Sequence, residues 1–401
     1  MIRTVAKTVL SARSGQRVEA GDYVCAEVDL VYITDASATS VLNRIERLND
    51  TSLADPSKVA LVIDHYVPAP TAEVARIHGR MRRFANDTGA LLVEEGEGIC
   101  HTVLGEMGLV EPGDLIIGAD SHTVTYGEYG ALATGVGSTD AAVAMTTGRL
   151  WFEVPETIHI VLEGSLPPGS SGRDLALHLN RIMGLSGASY RCVEIWDEDS
   201  GLSRDDLRAV CNTSVEWGAK AAVVPESKSS APDEADVSVN LDDIEPKVAL
   251  PHAPHRTCSV NEATGSQVNL CFVGTCAGGS LADIRQAATI LQHSRVRPGT
   301  RLLVAPCSRR IYAAAAAEGL VNILLRAGAV ILPPCCGPCC GALNGVPEDG
   351  ETVISTGNRN YRGRMGNGKS EIYLASALTV AASAAAGEIT DPREDITKYD
   401  D

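Results

Sequence analysis

Short apolar runs alternate with segments of helical periodicity along much of the chain. The apolar runs are rich in Val, Ile and Leu without polar alternation, which is typical of strands buried on both faces of a sheet. They read KVALVIDH, DLIIGADSH, VNLCFVGTC, TRLLVAP and GAVILPPC. Between them, apolar spacing predicts helices over residues 71–88, 139–149, 281–293 and 309–327. This repeated order of strand and helix predicts an α/β fold with mainly parallel sheets.

The apolar runs end in glycine or in polar residues that can carry chemistry. In parallel sheets, ligands bind beyond the carboxyl ends of the strands. We therefore expect the functional residues to gather at that edge of the sheets.

One polar and acidic segment interrupts the pattern. The stretch PESKSSAPDEADVSVNLDD begins at residue 225 and contains few large apolar residues, which is typical of a linker. We predict an N-terminal α/β region over residues 1–224, a linker-like segment over 225–247, and a C-terminal α/β lobe over 248–401.

The length and the net charge of the chain make some classes of function improbable. A chain of 401 residues with 44% hydrophobic content is large enough for more than one core. Its formal charge of -17 disfavours phosphate backbones and anionic lipid, so we expect neither a nucleic acid nor a membrane as partner. The N-terminus shows no apolar segment typical of a signal peptide, and no apolar run approaches the length of a membrane span. We expect a cytoplasmic protein.

Cysteines form the strongest local motif. The run PPCCGPCCG lies downstream of a single cysteine in VGTCAGG, and glycine and proline allow tight turns that bring several sulfurs together. One plausible ligand set is Cys276, Cys336 and Cys339, with Cys335 and Cys340 as substitute ligands or packing residues. Spacing alone leaves structural zinc, a redox dithiol and an iron-sulfur cluster open.

Several separated motifs together resemble the aconitase family over nearly the whole chain. They include VIDHYVP, GEGICHTVLGEMGLVEPGDLIIGADSHTVTYGEYGALATGVGSTDAA, CNTSVEWGAK, PKVALPHAP and STGNRNYRGRMG. Within that family, CGPCCG and NRNYRGRMG are most similar to large subunits of the isopropylmalate dehydratase and homoaconitase branch. The resemblance implies three-layer α/β/α lobes with mainly parallel sheets around a central iron-sulfur site.

The resemblance also implies a function and a set of site residues. It implies a 4Fe-4S cluster bound by Cys276, Cys336 and Cys339, and a hydro-lyase that removes water from a small anionic hydroxy acid and adds it back. The implied catalytic residues are Asp64, His65, His101, Asp120, His122 and Glu216. The implied substrate-binding residues are Ser121, Arg359 and Arg364, and Asn212 and Asn358 are implied beside the cluster.

The roles that the resemblance implies for these residues fit the chemistry of their side chains. A carboxylate beside a histidine fixes its tautomer and raises its basicity, and the planar fork of arginine suits a substrate carboxylate. If Asn212 and Glu216 lie on one helix, their spacing of four places both on one face. Taken alone, an Asn and a Glu at this spacing are common on helix surfaces and do not indicate a functional site.

Two departures from the family pattern bear on function. Family members usually read Ser-Cys-Thr-Asn around the first cluster cysteine, whereas this chain reads Thr275-Cys276-Ala277-Gly278, so polar neighbours of the cluster are lost. The chain also shows no sequence for the swivelling domain of single-chain aconitases, so we expect a separate small subunit that carries it.

The substrate that we expect first is 3-isopropylmalate. Homocitrate, dimethylmalate, citraconate and an acid of specialised metabolism are the alternatives within this class. A zinc- or cluster-stabilised binding protein without catalysis, and an RNA-binding regulator, are the alternatives from other classes.

Overall fold

The computed structural model describes residues 4–48, 52–197, 200–226, 232, 234–341 and 343–396. The strands of these residues form four sheets. None of the helices in those ranges is both long enough and apolar enough to cross a membrane.

The first part of the chain forms a five-stranded, a four-stranded and a two-stranded sheet. Its strands are β1 (Tyr23–Glu27), β2 (Leu30–Thr34), β3 (Val59–Val62), β4 (Leu91–Val93), β5 (Leu115–Gly118), β6 (Leu132–Gly135), β7 (Arg149–Glu153), β8 (Thr157–Glu163), β9 (Cys192–Asp197), β10 (Ala221–Val223) and β11 (Val237–Asn240). The five-stranded sheet has the order β4-β3-β2-β5-β6 and is parallel throughout. The four-stranded sheet, β10-β9-β8-β11, is also parallel, whereas β1 and β7 pair in antiparallel fashion.

The second part forms a seven-stranded mixed sheet. Its strands are β12 (Lys247–Ala249), β13 (Thr257–Ser259), β14 (Leu270–Val273), β15 (Arg301–Val304), β16 (Val330–Ile331), β17 (Thr352–Ser355) and β18 (Glu371–Leu374). The order is β13-β12-β18-β17-β14-β15-β16, and only the pairings of β12 are antiparallel. Each apolar run singled out in the sequence contains one of the parallel strands, which confirms the predicted α/β class.

Helices connect most of the strands. They are α1 (Val5–Ser14), α2 (Asp35–Arg47), α3 (Ala72–Thr88), α4 (Cys100–Glu106), α5 (Ser138–Thr147), α6 (Gly172–Met183), α7 (Arg204–Thr213), α8 (Leu281–Leu291), α9 (Arg309–Ala317), α10 (Leu320–Ala327), α11 (Ala377–Ala386) and α12 (Arg393–Ile396). The single helix predicted over residues 309–327 is wrong. It divides at Gly319, whose φ of +77° is left-handed and cannot continue a right-handed helix.

The predicted linker is partly structured. Its C-terminal half contains β11, which extends the four-stranded sheet beside β8. Residues 227–231 and 233 of this segment lie outside the described residues. The division at residues 225–247 stays a prediction.

The five-stranded and seven-stranded sheets share one apolar core, to which both contribute fully buried side chains such as Ile116 and Val273. Backbone hydrogen bonds join the loops beyond their carboxyl ends. The Ile99 amide donates to the Cys307 carbonyl at 2.8 Å, and the Cys336 amide donates to the Asp64 carbonyl at 3.3 Å. The functional edges of the two sheets therefore meet at one place.

Candidate active site

The implied site residues come from separate loops that converge between the sheets. Asp64 and His65 follow β3, Asp120 to His122 follow β5, and His101 lies in the first turn of α4. From the other sheet, Cys276 follows β14, Cys336 and Cys339 follow β16, and Asn358 and Arg359 follow β17. The position beyond the carboxyl ends of parallel strands is the one that the sequence predicted.

Asp120 lies between two histidines. Its carboxylate oxygens are 3.2 Å from Nε2 of His101 and 3.5 Å from Nε2 of His65. Nδ1 of His65 is 2.7 Å from Oδ1 of Asp64, whose other oxygen accepts the Cys100 amide at 2.8 Å. The His65 ring is thus held at both nitrogens by carboxylates, an arrangement that fixes its orientation.

These contacts set the charge of each histidine. Burial alone would lower the pKa of His101, but the Asp120 carboxylate and, after it, the Cys276 sulfur outweigh burial and raise it to about 10. Burial also opposes ionisation of His65, yet Asp64 and Asp120 hold its pKa well above the usual value. In return, the two histidines overcome the effect of burial on Asp120 and keep its pKa well below the usual value. Two imidazolium groups therefore share one carboxylate at neutral pH.

His122 is different. Burial and the nearby Arg359 guanidinium keep the pKa of His122 well below its usual value, so its imidazole is neutral. Its buried Nε2 makes no hydrogen bond to any of the described residues and lies 3.7 Å from Oε1 of Glu216. A neutral ring with an unpartnered nitrogen can exchange a proton or a hydrogen bond with a bound molecule.

Four cysteine sulfurs lie in this neighbourhood, those of Cys276, Cys336, Cys339 and Cys340. Burial raises the pKa of the Cys336 thiol, and Asp64 together with the sulfurs of Cys340, Cys339 and Cys276 raises it further. Cys336 and Cys339 are brought together by a one-turn 3-10 helix, Gly337–Cys340. A buried thiol with a raised pKa, such as that of Cys336, becomes a thiolate readily only when a cation binds it.

The Cys276 sulfur is surrounded by N–H donors. The side-chain amides of Asn212 and Asn358 donate to it at 3.0 and 3.3 Å. Burial opposes ionisation of this thiol, but His101 and the two amides lower its pKa overall. Hydrogen bonds of this kind to thiolate sulfur are typical of iron-sulfur sites, so the chemistry of these donors fits a cluster bound by Cys276, Cys336 and Cys339.

Another arrangement of ligands also occurs here. Oxygen, nitrogen and sulfur atoms of Asp64, His65 and Cys336 all lie within 4.8 Å of one another. A single divalent metal such as zinc takes ligands of these types. Both Asp64 oxygens already hold hydrogen-bond partners, however, which disfavours direct coordination.

Basic residues line the same region. Nε of Arg359 is 2.5 Å from Oε1 of Glu216, and the Tyr361 hydroxyl donates to the other Glu216 oxygen at 2.5 Å. Nη2 of Arg364 donates to the Cys339 sulfur at 3.4 Å, and the buried Nε of Arg364 has no hydrogen-bond partner in the part of the chain that the structure describes. The exposed Ser121 lies beside Asp120, with its hydroxyl 3.4 Å from Nδ1 of His122. These cationic and polar groups suit a small anion with more than one carboxylate.

The expected geometry of Asn212 and Glu216 needs correction. The α7 helix ends at Thr213, and Glu216 lies in the 3-10 helix Ser214–Trp217 that follows it. The two side chains therefore do not share a face of one α-helix. Each still reaches the site, Asn212 at Cys276 and Glu216 between Arg359 and His122.

At Gly278, one of the two positions where this chain lacks the polar residues usual in the family, the structure leaves no room for a side chain. A Cβ atom at Gly278 would lie 2.3 Å from Cβ of Thr356, so no side chain fits there. Oγ1 of Thr356 accepts the Gly274 amide at 2.9 Å and donates to the Gly274 carbonyl at 2.8 Å. Thr275 has a φ of +73°, a conformation that is strained for a β-branched residue. Thr356 thus fills the space beside the loop that carries Cys276, and its hydrogen bonds to Gly274 hold the first part of that loop in place.

Sequence reasoning missed three residues that support the site. Asp35 accepts the backbone amides of His65 and Tyr66, and Tyr361 holds Glu216. Arg173, which is 2% exposed, donates to the Thr213 hydroxyl at 3.3 Å and to the Gly357 carbonyl. Two of them carried a signal in the sequence: Asp35 ends an apolar run in the same way as the residues that were chosen, and Tyr361 lies within the motif STGNRNYRGRMG.

Comparisons with known proteins identify the family to which the chain is similar. A sequence model of the aconitase family (aconitate hydratase) matches residues 6–232 and 261–387. The 3-isopropylmalate dehydratase large subunit 1 of Methanopyrus kandleri is 41% identical over 98% of this chain and 99% of its own length. The homoaconitase large subunit of Thermus thermophilus is 40% identical over 98% of each chain.

Among solved structures, the holo-form of aconitase X from Thermococcus kodakaraensis is similar in fold. It superposes with a TM-score of 0.54, at 13% sequence identity, over 89% of this chain and 90% of that one. At this identity the likeness bears on the fold alone. The sequence match to the family covers most of the chain, and the chain therefore belongs to the aconitase family.

Proposed function

We propose that the chain is the large subunit of an iron-sulfur hydro-lyase that interconverts 3-isopropylmalate and 2-isopropylmalate through isopropylmaleate. The observation that carries this proposal is the 41% identity over 98% of the chain to a 3-isopropylmalate dehydratase large subunit. The convergence of histidines, carboxylates, cysteines and arginines at one buried site supports it.

Cys276, Cys336 and Cys339 would hold a 4Fe-4S cluster. When bound through three thiolates, such a cluster supplies an iron with an open coordination position that acts as a Lewis acid toward a hydroxyl group. Asn212 and Asn358 hold Cys276 in place through its sulfur.

The histidines supply proton transfer. Dehydration removes a hydroxyl from one carbon and a proton from its neighbour, and hydroxide leaves more easily when it is protonated. His65, positively charged between Asp64 and Asp120, is suited to donate that proton. His101 shares Asp120 and orients the network, and neutral His122 can accept a hydrogen bond or a proton.

The arginines and Ser121 bind the carboxylates. Arg359 and Arg364 present guanidinium groups toward the site, and Glu216 and Tyr361 fix the first of them. Rehydration at the neighbouring carbon requires the alkene intermediate to stay bound, and bidentate contacts serve this purpose.

A small subunit that carries a swivelling domain completes the site in this proposal. The relatives are named large subunits, which implies such a partner for them. We expect this partner to supply the base for the carbon-bound proton and to select among isopropylmalate, homocitrate, dimethylmalate and citraconate. A cytoplasmic location stays a prediction.

The test combines assay and metal analysis. Anaerobically reconstituted protein, mixed with its small subunit, should form alkene from 3-isopropylmalate faster than from the other three acids. Absence of turnover with all four acids would refute the proposal. Iron and sulfide should be lost in Cys276→Ser, Cys336→Ser and Cys339→Ser but retained in the neighbouring controls Cys335→Ser and Cys340→Ser. The reverse pattern would overturn the ligand assignment.

A second candidate is a zinc-stabilised binding protein, since ligand atoms of Asp64, His65 and Cys336 lie within 4.8 Å of one another, although Asp64 would have to give up a present partner to bind a metal. Zinc without iron or labile sulfide, in protein purified under anaerobic conditions, would support it. Iron with labile sulfide would exclude it.

A further inference from the structure

A buried carboxylate and a buried histidine lie beneath the turn that carries His65. Asp35 is the first residue of α2 and is 1% exposed, and His78 on α3 is also 1% exposed. Oδ2 of Asp35 is 3.1 Å from Nε2 of His78. Neither side chain belongs to the catalytic or substrate-binding residues described above.

Asp35 holds the backbone of the catalytic turn. Its Oδ1 accepts the His65 amide at 2.9 Å, and its Oδ2 accepts the Tyr66 amide at 2.9 Å. The Asp64 amide lies 3.4 Å from the same Oδ1. One carboxylate therefore joins the start of α2 to three consecutive residues after β3.

His78 is the side-chain donor to this carboxylate. Its other ring nitrogen, Nδ1, is 4.0 Å from a carboxylate oxygen of Glu95, so the ring lies between two acidic groups. A buried carboxylate is held in one orientation only when its oxygens keep their donors. His78 thus helps to hold the Asp35 carboxylate in its orientation, and that carboxylate in turn holds the backbone of the Asp64–His65 turn.

We propose that Asp35 and His78 form a positioning pair that fixes the Asp64–His65 turn, and thereby the His65 ring, for proton transfer. The kinetic part of this inference rests on the proposed function. The His65 ring is held at 2.7 Å from Asp64 in the same turn and at 3.5 Å from Asp120, which lies on the separate loop after β5, so a shift of the turn moves the ring relative to Asp120. Displacements of about 1 Å at a reacting group can reduce turnover by on the order of a hundredfold.

The test compares two substitutions of one residue. His78→Gln keeps an N–H donor at a similar reach, whereas His78→Leu keeps the bulk and removes the donor. Met81→Ala is the matched control, because Met81 is also fully buried on α3 but makes no hydrogen bond to Asp35. His78→Asn, whose amide is too short to reach Asp35, replaces the Leu variant should that variant fail to fold.

Kinetics are measured on the reconstituted holoenzyme with its small subunit and 3-isopropylmalate. We expect His78→Leu to lower kcat by about tenfold or more with KM changed by less than about threefold, since positioning acts on the transition state. His78→Gln and Met81→Ala should both keep kcat within about threefold of wild type. An unchanged kcat in His78→Leu, or an equal loss in either of the other two variants, would overturn the inference.

Hydrogen–deuterium exchange gives a readout that does not depend on activity. The peptide that contains the His65 and Tyr66 amides should exchange faster in His78→Leu than in wild type, and at the wild-type rate in His78→Gln. Equal exchange in all variants would contradict the positioning role. A wild-type enzyme that is inactive on every acid would refute the proposed function, and exchange would then decide this inference separately.

Discussion

Replacement of Arg173 by methionine is expected to weaken retention of the cluster without destabilising the cluster-free protein to the same extent. Arg173 donates to Thr213 and to Gly357, which are the chain neighbours of Asn212 and Asn358. Those two asparagines are the amide donors to the Cys276 sulfur. The guanidinium therefore joins the two segments that hold one cluster ligand.

The magnitude follows from the charge of this buried group. Burial lowers the pKa of Arg173 from 12.5 to about 10, although Asp174, Asp283 and the sulfurs of Cys276 and Cys339 act in the opposite direction. At about 1.4 kcal/mol per pKa unit, the buried charge costs roughly 3 kcal/mol in the cluster-free protein. Thiolates bound to iron would offset part of this cost, because they place negative charge on sulfurs that already interact with Arg173.

Removal of the charge should therefore affect the two forms differently. The two lost hydrogen bonds cost about 1 kcal/mol each in both forms, and the relieved burial of charge offsets this in the cluster-free form. The cluster-bound form loses a favourable interaction of the order of 1–3 kcal/mol, which corresponds to roughly tenfold or greater acceleration of cluster loss.

The assay is anaerobic iron release to a chelator, followed by visible absorbance, together with urea unfolding of the cluster-free proteins. Arg173→Met should release iron at least about tenfold faster than wild type, at nearly unchanged stability of the cluster-free form. Arg173→Lys keeps the charge but not the planar fork, so its rate of iron release should lie between those of the wild type and Arg173→Met. Equal destabilisation of both forms by Arg173→Met, or identical behaviour of the Lys and Met variants, would refute the reasoning.

Further predictions concern packing, pH dependence and substrate binding. Gly278→Ala places a Cβ atom 2.3 Å from Thr356 and should destabilise the protein by about 1–3 kcal/mol and reduce its iron content, as measured by urea unfolding and iron analysis. Gly368→Ala is the control and should change neither quantity, because, apart from its two chain neighbours, none of the described residues lies within 4 Å of the added Cβ atom. Burial raises the pKa of Asp174 from 3.8 to about 6, so the folded protein binds this proton more tightly than the unfolded chain. Relative to Asp174→Asn, the wild type should therefore lose up to roughly 3 kcal/mol of unfolding free energy as pH rises from about 4 to about 6, and no more above about 7. If urea unfolding gives the same difference in unfolding free energy between the two proteins across this pH range, the prediction is wrong. Arg359→Lys removes the planar fork and should raise KM for 3-isopropylmalate by about tenfold or more in steady-state assays, so an unchanged KM would argue against carboxylate binding by Arg359.

Much of the fold and the composition of the site could be predicted from sequence. The strands β3, β5, β14 and β15 lie within apolar runs because burial on both faces requires continuous Val, Ile and Leu. The motifs around His65, His101 and Asp120 indicated which residue types act together. The break at Gly319 was missed, because alanine-rich helical periodicity continues across it and only the left-handed backbone shows the division.

Local pattern and motif order thus determined the α/β class, the family and the candidate residues of this chain. The tertiary structure alone decided which groups share a carboxylate, which histidine stays neutral, and which buried residues support the turns, as Asp35, His78, Arg173 and Thr356 do. The physical reason is that charge state and orientation depend on burial and on contacts across tens to hundreds of residues, whereas periodicity reports only neighbours along the chain.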